Sequence, residues 1–367
     1  MKSKHLLFLT LSVIILSILI SACGGRVFIP SGWAGITVVG ENVYMANNQF
    51  VYAIRLADGQ QIWRFPEKAN SKQTFYAAPV MTPSGQLLVG SYDHSLYSLN
   101  PETGQLNWSF PTKNRIVGSP LATEKGIFLP SSDVHLYAID YNGKELWKYK
   151  ARGPLWSQPV ADPACECIYL SSVDHYLYAL NADNGNLLWE RDMKTSILSS
   201  PTLFEDTKLY LTTLGGDVNA IMAKENRLIW QENVGQQLWA SPALEGDLLY
   251  TGDQSNTLYA LQASDGTTKW KFEADGAIVG TPAVTPTGVY FTTEAGTVYG
   301  LDRDGAVILQ KNLDTDKSKA KIYAGPVVVG EGVAPSGLIL VSPEGLDYLL
   351  VALQPDGAQK WAFIPPK

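Results

Sequence analysis

LYALNADNGNLLW, Leu177 to Trp189, is the stretch on which the reading of this chain turns. Leu-Tyr-Ala-Leu is a short alternating apolar strand. Asn184-Gly185 supplies the positive φ of a tight hairpin turn. Trp189 arrives four residues after that Gly, on the returning strand. A flat indole buries a large area and suits the seam between two packed sheets.

The stretch returns along the chain with its key positions in step. VYAIRLADGQQIW (51–63), LYSLNPETGQLNW (96–108) and LYAIDYNGKELW (136–147) precede it. VNAIMAKENRLIW (218–230), LYALQASDGTTKW (258–270), VYGLDRDGAVIL (298–309) and LVALQPDGAQKW (350–361) follow. The closing anchors are Trp63, Trp108, Trp147, Trp189, Trp230, Trp270, Leu309 and Trp361, eight in all. Strand-like content at a period near 40 residues is the signature of a propeller or solenoid. Seven of the ten Trp residues hold this one position, so they are read as blade-docking anchors and not as chemistry.

One unit runs from Trp156 to Trp189. WSQPVADPA gives a first strand and a turn, CECIYLSS a second strand, YLYALN a third and LLWERDM a fourth. Four antiparallel strands in one period make a propeller blade. The predicted fold is therefore all-β: an eight-bladed β-propeller of four-stranded antiparallel blades, over residues 33–367. Ala-x-x-x-x-Asp-x-Gly-x-x-x-Trp, blade after blade, resembles the tryptophan-docking motif of the pyrroloquinoline-quinone-type propeller repeats. Two positions depart from it: Asn226 stands where the turn Gly belongs, and Leu309 where the Trp belongs. The seam after blade 7 is expected to be the weakest.

Residues 1–22 read as a leader. Lys2 and Lys4 are followed by an apolar run from Leu6 to Ile20, short for a membrane span. Ile20-Ser21-Ala22-Cys23 resembles the bacterial lipobox, in which the signal is cut before a Cys that carries a diacylglycerol. The alternatives are an ordinary secretory peptide cut nearby or an uncleaved anchor. Lipidation at Cys23 is the expectation, and several acyl chains make such attachment effectively permanent. Gly24, not Asp, follows Cys23; by resemblance to Gram-negative sorting this favours the outer membrane. Residues 23–32 form a short tether that reaches at most roughly 30 Å. Arg26 to Ile29 could instead add along the edge of the last blade, and how the ring closes is left open.

Without Lys2 and Lys4 the chain has 26 Lys plus Arg against 35 Asp plus Glu, a net of −9. An acidic balance with no basic run argues against nucleic acid, whose binding rests on phosphate neutralisation.

First strands line a propeller's channel, so the third residue before each lead-in Pro belongs at one mouth. Trp33, Tyr76, Trp156, Trp239 and Tyr323 are the aromatic members, with Val117, Leu198 and Val279 between them. They read either as a socket for a flat ligand or a peptide, or as packing between blades. The loops leading into blades 2 and 8 are longer than the rest and carry Lys68 and Lys72, then Lys317, Lys319 and Lys321. They read as partner-binding loops or as tolerated insertions.

His94, His135 and His175 fall in the turns between second and third strands of blades 2, 3 and 4. Such turns diverge radially and His135 is one place out of step, so no metal site is expected. Cys165 and Cys167 are the one pair left for an internal disulfide; bridged and free forms both stand. They lie on the face opposite the mouth. No vicinal Cys-Cys and no Gly-x-Ser-x-Gly appears.

Among propellers of this repeat, an eight-bladed, acyl-anchored chain resembles the lipoproteins of the outer-membrane barrel-assembly machine. The resemblance implies a non-catalytic scaffold, monomeric and extracytoplasmic, with a protein partner at the membrane surface and no cofactor. An extracytoplasmic ligand-binding or sensory lipoprotein using the aromatic mouth is the alternative. A quinone-dependent dehydrogenase is the remote one, since fold alone licenses no activity.

Overall fold

The computed structural model describes residues 35–366, except 206 and 331–336. The expected leader, Cys23, the expected tether with Arg26–Ile29, and Trp33 lie outside the described residues. Thirty-two strands form eight four-stranded antiparallel sheets, and every sheet takes four strands consecutive in sequence. Blade 1 begins with Ile36–Val39 and blade 8 ends with Gln359–Phe363, so among the described residues no blade borrows a strand from the other end of the chain.

The unit read from Trp156 to Trp189 is blade 4. Its strands are Val160–Asp162, Cys167–Ser171, Tyr176–Asn181 and Leu187–Asp192. The first is shorter than expected: Trp156 to Pro159 is irregular backbone. Pro159 has no N–H for a ladder, and this segment crosses the channel rim before pairing begins.

The repeat explains its own packing. In blade 4, Trp189 stands opposite Ala179, and the register slips at the next residue. The same slip follows the anchor in all eight blades. The facing residue is Ala in six blades, Ser98 in blade 2 and Gly300 in blade 7. A small residue there leaves room for the ring, and the bulge turns the ring sideways toward the next blade.

There the ring meets the turn Gly of that blade. A Cβ on Gly104 would stand 2.6 Å from the Trp63 ring, and one on Gly185 would stand 2.4 Å from the Trp147 ring. Both glycines also hold φ near +70° (72° and 71°), which L side chains rarely adopt. The indole N–H then donates to a backbone carbonyl of the next blade: Trp63 to Pro101 at 2.8 Å, Trp147 to Ala182 at 3.1 Å, Trp230 to Ala263 at 3.0 Å. Burying one such ring is worth roughly 4–6 kcal/mol before entropy is counted.

Ring closure follows the same rule. Trp361 of blade 8 donates to the Leu56 carbonyl of blade 1 at 2.9 Å and covers Gly59. A cluster including Ile36, Met45, Ile54, Leu340, Ala352 and Phe363 fills that seam. Eight such clusters, each shared by two adjoining blades, make up the core among the described residues.

The two departures from the repeat are accommodated differently. Asn226 takes the left-handed turn position with φ 49°, which Asn tolerates better than most residues. Arg191 of blade 4 donates from Nε to Asn226 Oδ1 at 2.8 Å and from its other arm to the Asn226 carbonyl. Leu309 is buried against Gly357, with its Cδ1 2.8 Å from where a Cβ would stand.

Candidate functional site

The mouth is built from each blade's lead-in segment and the turn between its second and third strands. Phe75, Ile116, Leu155, Ile197, Leu238, Ile278 and Ile322 all sit at one position and are essentially inaccessible, at 0–1% exposure. They plug the seams. The mouth residues come one place later, which is why they can face the channel.

A second device braces this face. Tyr97, Tyr137, Tyr178 and Tyr259 donate from their hydroxyls to Asp93, Asp133, Asp174 and Asp253 at 2.6–2.9 Å. Asp133 also accepts the Lys113 N–H, and Asp174 accepts those of Arg152 and Gly153, at 2.7–3.0 Å. These carboxylates clamp the loops to the turns. Burial and the Asp253 carboxylate push the Tyr259 phenol up to about 12. The sequence reading missed this clamp, although Asp four residues ahead of Tyr recurs in blades 2, 3 and 4.

The predicted mouth aromatics do not form one socket. Trp239 and Tyr323 come together with Leu198 and Val279 around a cavity of about 210 Å³. Gly280, Thr281, Ala324 and Gly325 complete its wall, and a Cβ on either glycine would stand 1.9–2.2 Å from backbone of the neighbouring blade. Tyr76 lies apart, with its ring against Tyr92 at 4.9 Å, and lines a separate cavity of about 430 Å³ with Phe50, Tyr52 and Leu349. Trp156 is the most open of the described mouth aromatics, at 36% exposure, and donates from Nε1 to Ser132 Oγ at 3.0 Å. Val117 is half-buried and lines neither cavity.

Both long loops are braced. Lys68 and Lys72 are exposed, while Gln73 beside them is buried and donates to the Tyr97 hydroxyl at 2.9 Å. In the other loop Lys319 pairs with Asp314 at 2.6 Å. That contact holds the Asp314 carboxyl below the usual carboxylate range. Lys321 exchanges two backbone bonds with Glu344, and Lys317 lines a cavity of about 300 Å³ with Leu346 and Tyr348. His94 and His175 hold left-handed turn positions; in blade 3 that position is Val134, so His135 is displaced by one.

Cys165 and Cys167 are joined by a disulfide with their Cα atoms 5.2 Å apart. The bridge closes the turn between the first and second strands of blade 4, on the face away from the mouth.

The sequence profile of the family described as outer membrane protein assembly factor BamB matches residues 47–172 and 173–361. The chain belongs to this family. The BamB protein of Yersinia pestis is 24% identical over 64% of this chain and 66% of its own length. Tetrathionate hydrolase of Acidithiobacillus ferrooxidans is 23% identical over 71% of this chain, and the match spans about half (48%) of that enzyme. Among solved structures, BamB of Moraxella catarrhalis superposes with a TM-score of 0.67 at 18% identity, covering 88% of this chain and 92% of that one. A quinohemoprotein alcohol dehydrogenase of Pseudomonas putida HK5 superposes at 0.70 with 13% identity, covering 90% and 75%. At these identities the superpositions show the fold alone.

Proposed function

We propose that the chain is a non-catalytic, lipid-anchored propeller that presents its mouth face to a protein partner at the cell envelope, in outer-membrane protein assembly. The observation that carries this reading is the match of the BamB family profile over nearly the whole propeller. The two long, braced, lysine-bearing loops flank blade 1 on one face and supply a shaped contact surface. Lipidation at Cys23 would keep that surface near the bilayer, in the periplasm on the outer membrane, and the propeller acts there as a monomer.

The second reading is a ligand binder, favoured by the cavity beneath Trp239 and Tyr323. The dehydrogenase reading draws no support from the cysteines, which lie on the opposite face from that cavity.

Photo-crosslinking probes at Lys72 and Lys319 in the native membrane separate the first two readings. Capture of an outer-membrane barrel protein or an assembly factor is the expected result. Adducts with lipid and scattered lipoproteins alone would remove the assembly reading. Binding would then be sought through Trp239→Ala and its effect on small-molecule or peptide affinity.

A further inference from the structure

The scaffold reading leaves the cysteine pair without a role. Cys165 is half-exposed at the turn and its neighbours Pro163, Ala164 and Glu166 are exposed, so another chain can reach it. Cys167 is recessed, 5% exposed, in the cluster that fills the seam between blades 4 and 5. Glu166 between them is held in the left-handed region at φ 56°.

A buried carboxylate lies under the outer sulfur. Asp162 is 2% exposed. Its Oδ1 accepts the Ala164 N–H at 2.9 Å and fixes the turn. Its Oδ2 lies 3.2 Å from Cys165 Sγ and accepts the Tyr169 hydroxyl at 3.3 Å, with that hydroxyl 3.4 Å from the same sulfur. Charged groups around the pair include Glu166, which pairs with Lys125 at 2.9 Å, Asp183, which holds the same Lys125 at 2.8 Å, and Glu225 on the blade 5 side of Tyr169.

We propose that Cys165 and Cys167 form a thiol–disulfide exchange site acting on exposed disulfides of other polypeptides. In the reduced pair, Asp162 takes the Cys165 thiol proton. The resulting thiolate attacks one sulfur of a disulfide R–S–S–R′. A Cys165–S–R bond forms, and R′S⁻ leaves and is protonated. Cys167 loses its proton to solvent and attacks Cys165 Sγ. The bond to R breaks, RSH leaves after protonation, and the Cys165–Cys167 bridge closes. One external disulfide becomes two thiols and the pair is oxidised; run backwards, two external thiols are oxidised to a disulfide. The asymmetry of exposure makes Cys165 the attacking sulfur and Cys167 the resolving one.

The test uses the whole chain, reduced, desalted and mixed with oxidised glutathione or with a dithionitrobenzoate reporter. Cys167→Ser is expected to accumulate a mixed disulfide on Cys165, read by mass spectrometry, and Cys165→Ser to react slowly. Asp162→Asn is expected to slow the reporter reaction at neutral pH by about tenfold or more and to flatten its pH profile, because a positioned proton acceptor is lost. Adducts on Cys167 in preference to Cys165, or an Asp162→Asn protein that reacts as fast as the parent or faster, would overturn the proposal. The choice of sulfur is read from the cysteine variants alone, so it stands even where Asp162→Asn fails to fold.

Discussion

The seam that closes the ring and the seam beside it use the same kind of turn with different anchors. Between blades 8 and 1, Trp361 covers Gly59 and bonds the Leu56 carbonyl. Between blades 7 and 8, Leu309 covers Gly357 with an isobutyl group that has no donor. The first seam joins residues about three hundred positions apart and carries the loop-closure cost of the whole propeller. The second joins neighbours in sequence, where contact is cheap to form. Trp anchors also stand at the six other seams between consecutive blades, so Leu309 is the exception among the eight, and it lies where the chain itself already holds two blades together.

The largest test of this contrast is truncation of each anchor. Trp361→Ala is expected to destabilise by about 3–5 kcal/mol in urea unfolding, and Leu309→Ala by about 2–4 kcal/mol. Equal losses, with the same change in cooperativity, would break the claim that closure is the demanding seam. The Trp361 variant should also expose the first and last blades to limited proteolysis before the others.

Next come the glycines. Gly59→Ala meets both a left-handed φ of 74° and an indole carbon 2.6 Å away, whereas Gly40→Ala meets a φ of 56° in open space. About 2 kcal/mol or more is expected for the first and about 1 for the second, by thermal or urea unfolding. Matching losses would mean that ring contact adds nothing to backbone strain.

Leu309→Trp sharpens the comparison from the other side. Gly300 faces this position, and the Tyr290 ring packs over it, 2.7 Å from where a Cβ would stand, so the indole has to shift that ring to seat. A gain of about 1 kcal/mol is expected, read as a higher melting temperature. A lower one would show that the seam is shaped around Leu.

The smallest effect concerns a surface contact beside the seam between blades 4 and 5. Lys194 and His175 hold the Asp192 carboxyl well below the usual carboxylate range. A depressed carboxyl contributes stability above its unfolded value and loses it as pH falls through the folded one. Asp192→Asn should therefore melt slightly lower than the parent at neutral pH. The gap should narrow below about pH 4 and vanish in stronger acid. A gap that persists there would assign the effect to packing and not to charge.

Much of this was legible in the residues. The period, the small residue facing each anchor and the turn Gly require one another: the ring needs a neighbour without a Cβ, and the turn needs a residue free to take positive φ. Asn226 and Leu309 could be recognised as departures because the seven other copies set the rule. The Arg191 contacts that brace Asn226 could not, because they join a strand end to a turn thirty-five residues on. The mouth was legible as positions but not as a shape. Trp239 and Tyr323 share a cavity while Tyr76 and Trp156 stand elsewhere, since small differences in blade contact, such as Gly280 against Gly325, decide which side chains converge.

The sequence by itself determined the blade count, the strand order within a blade and the position of every docking anchor, because these follow from local periodicity and from steric demands repeated eight times. Only the tertiary structure decided how the ring closes and which aromatics meet. Those depend on distances between segments whose separation along the chain carries no period to read.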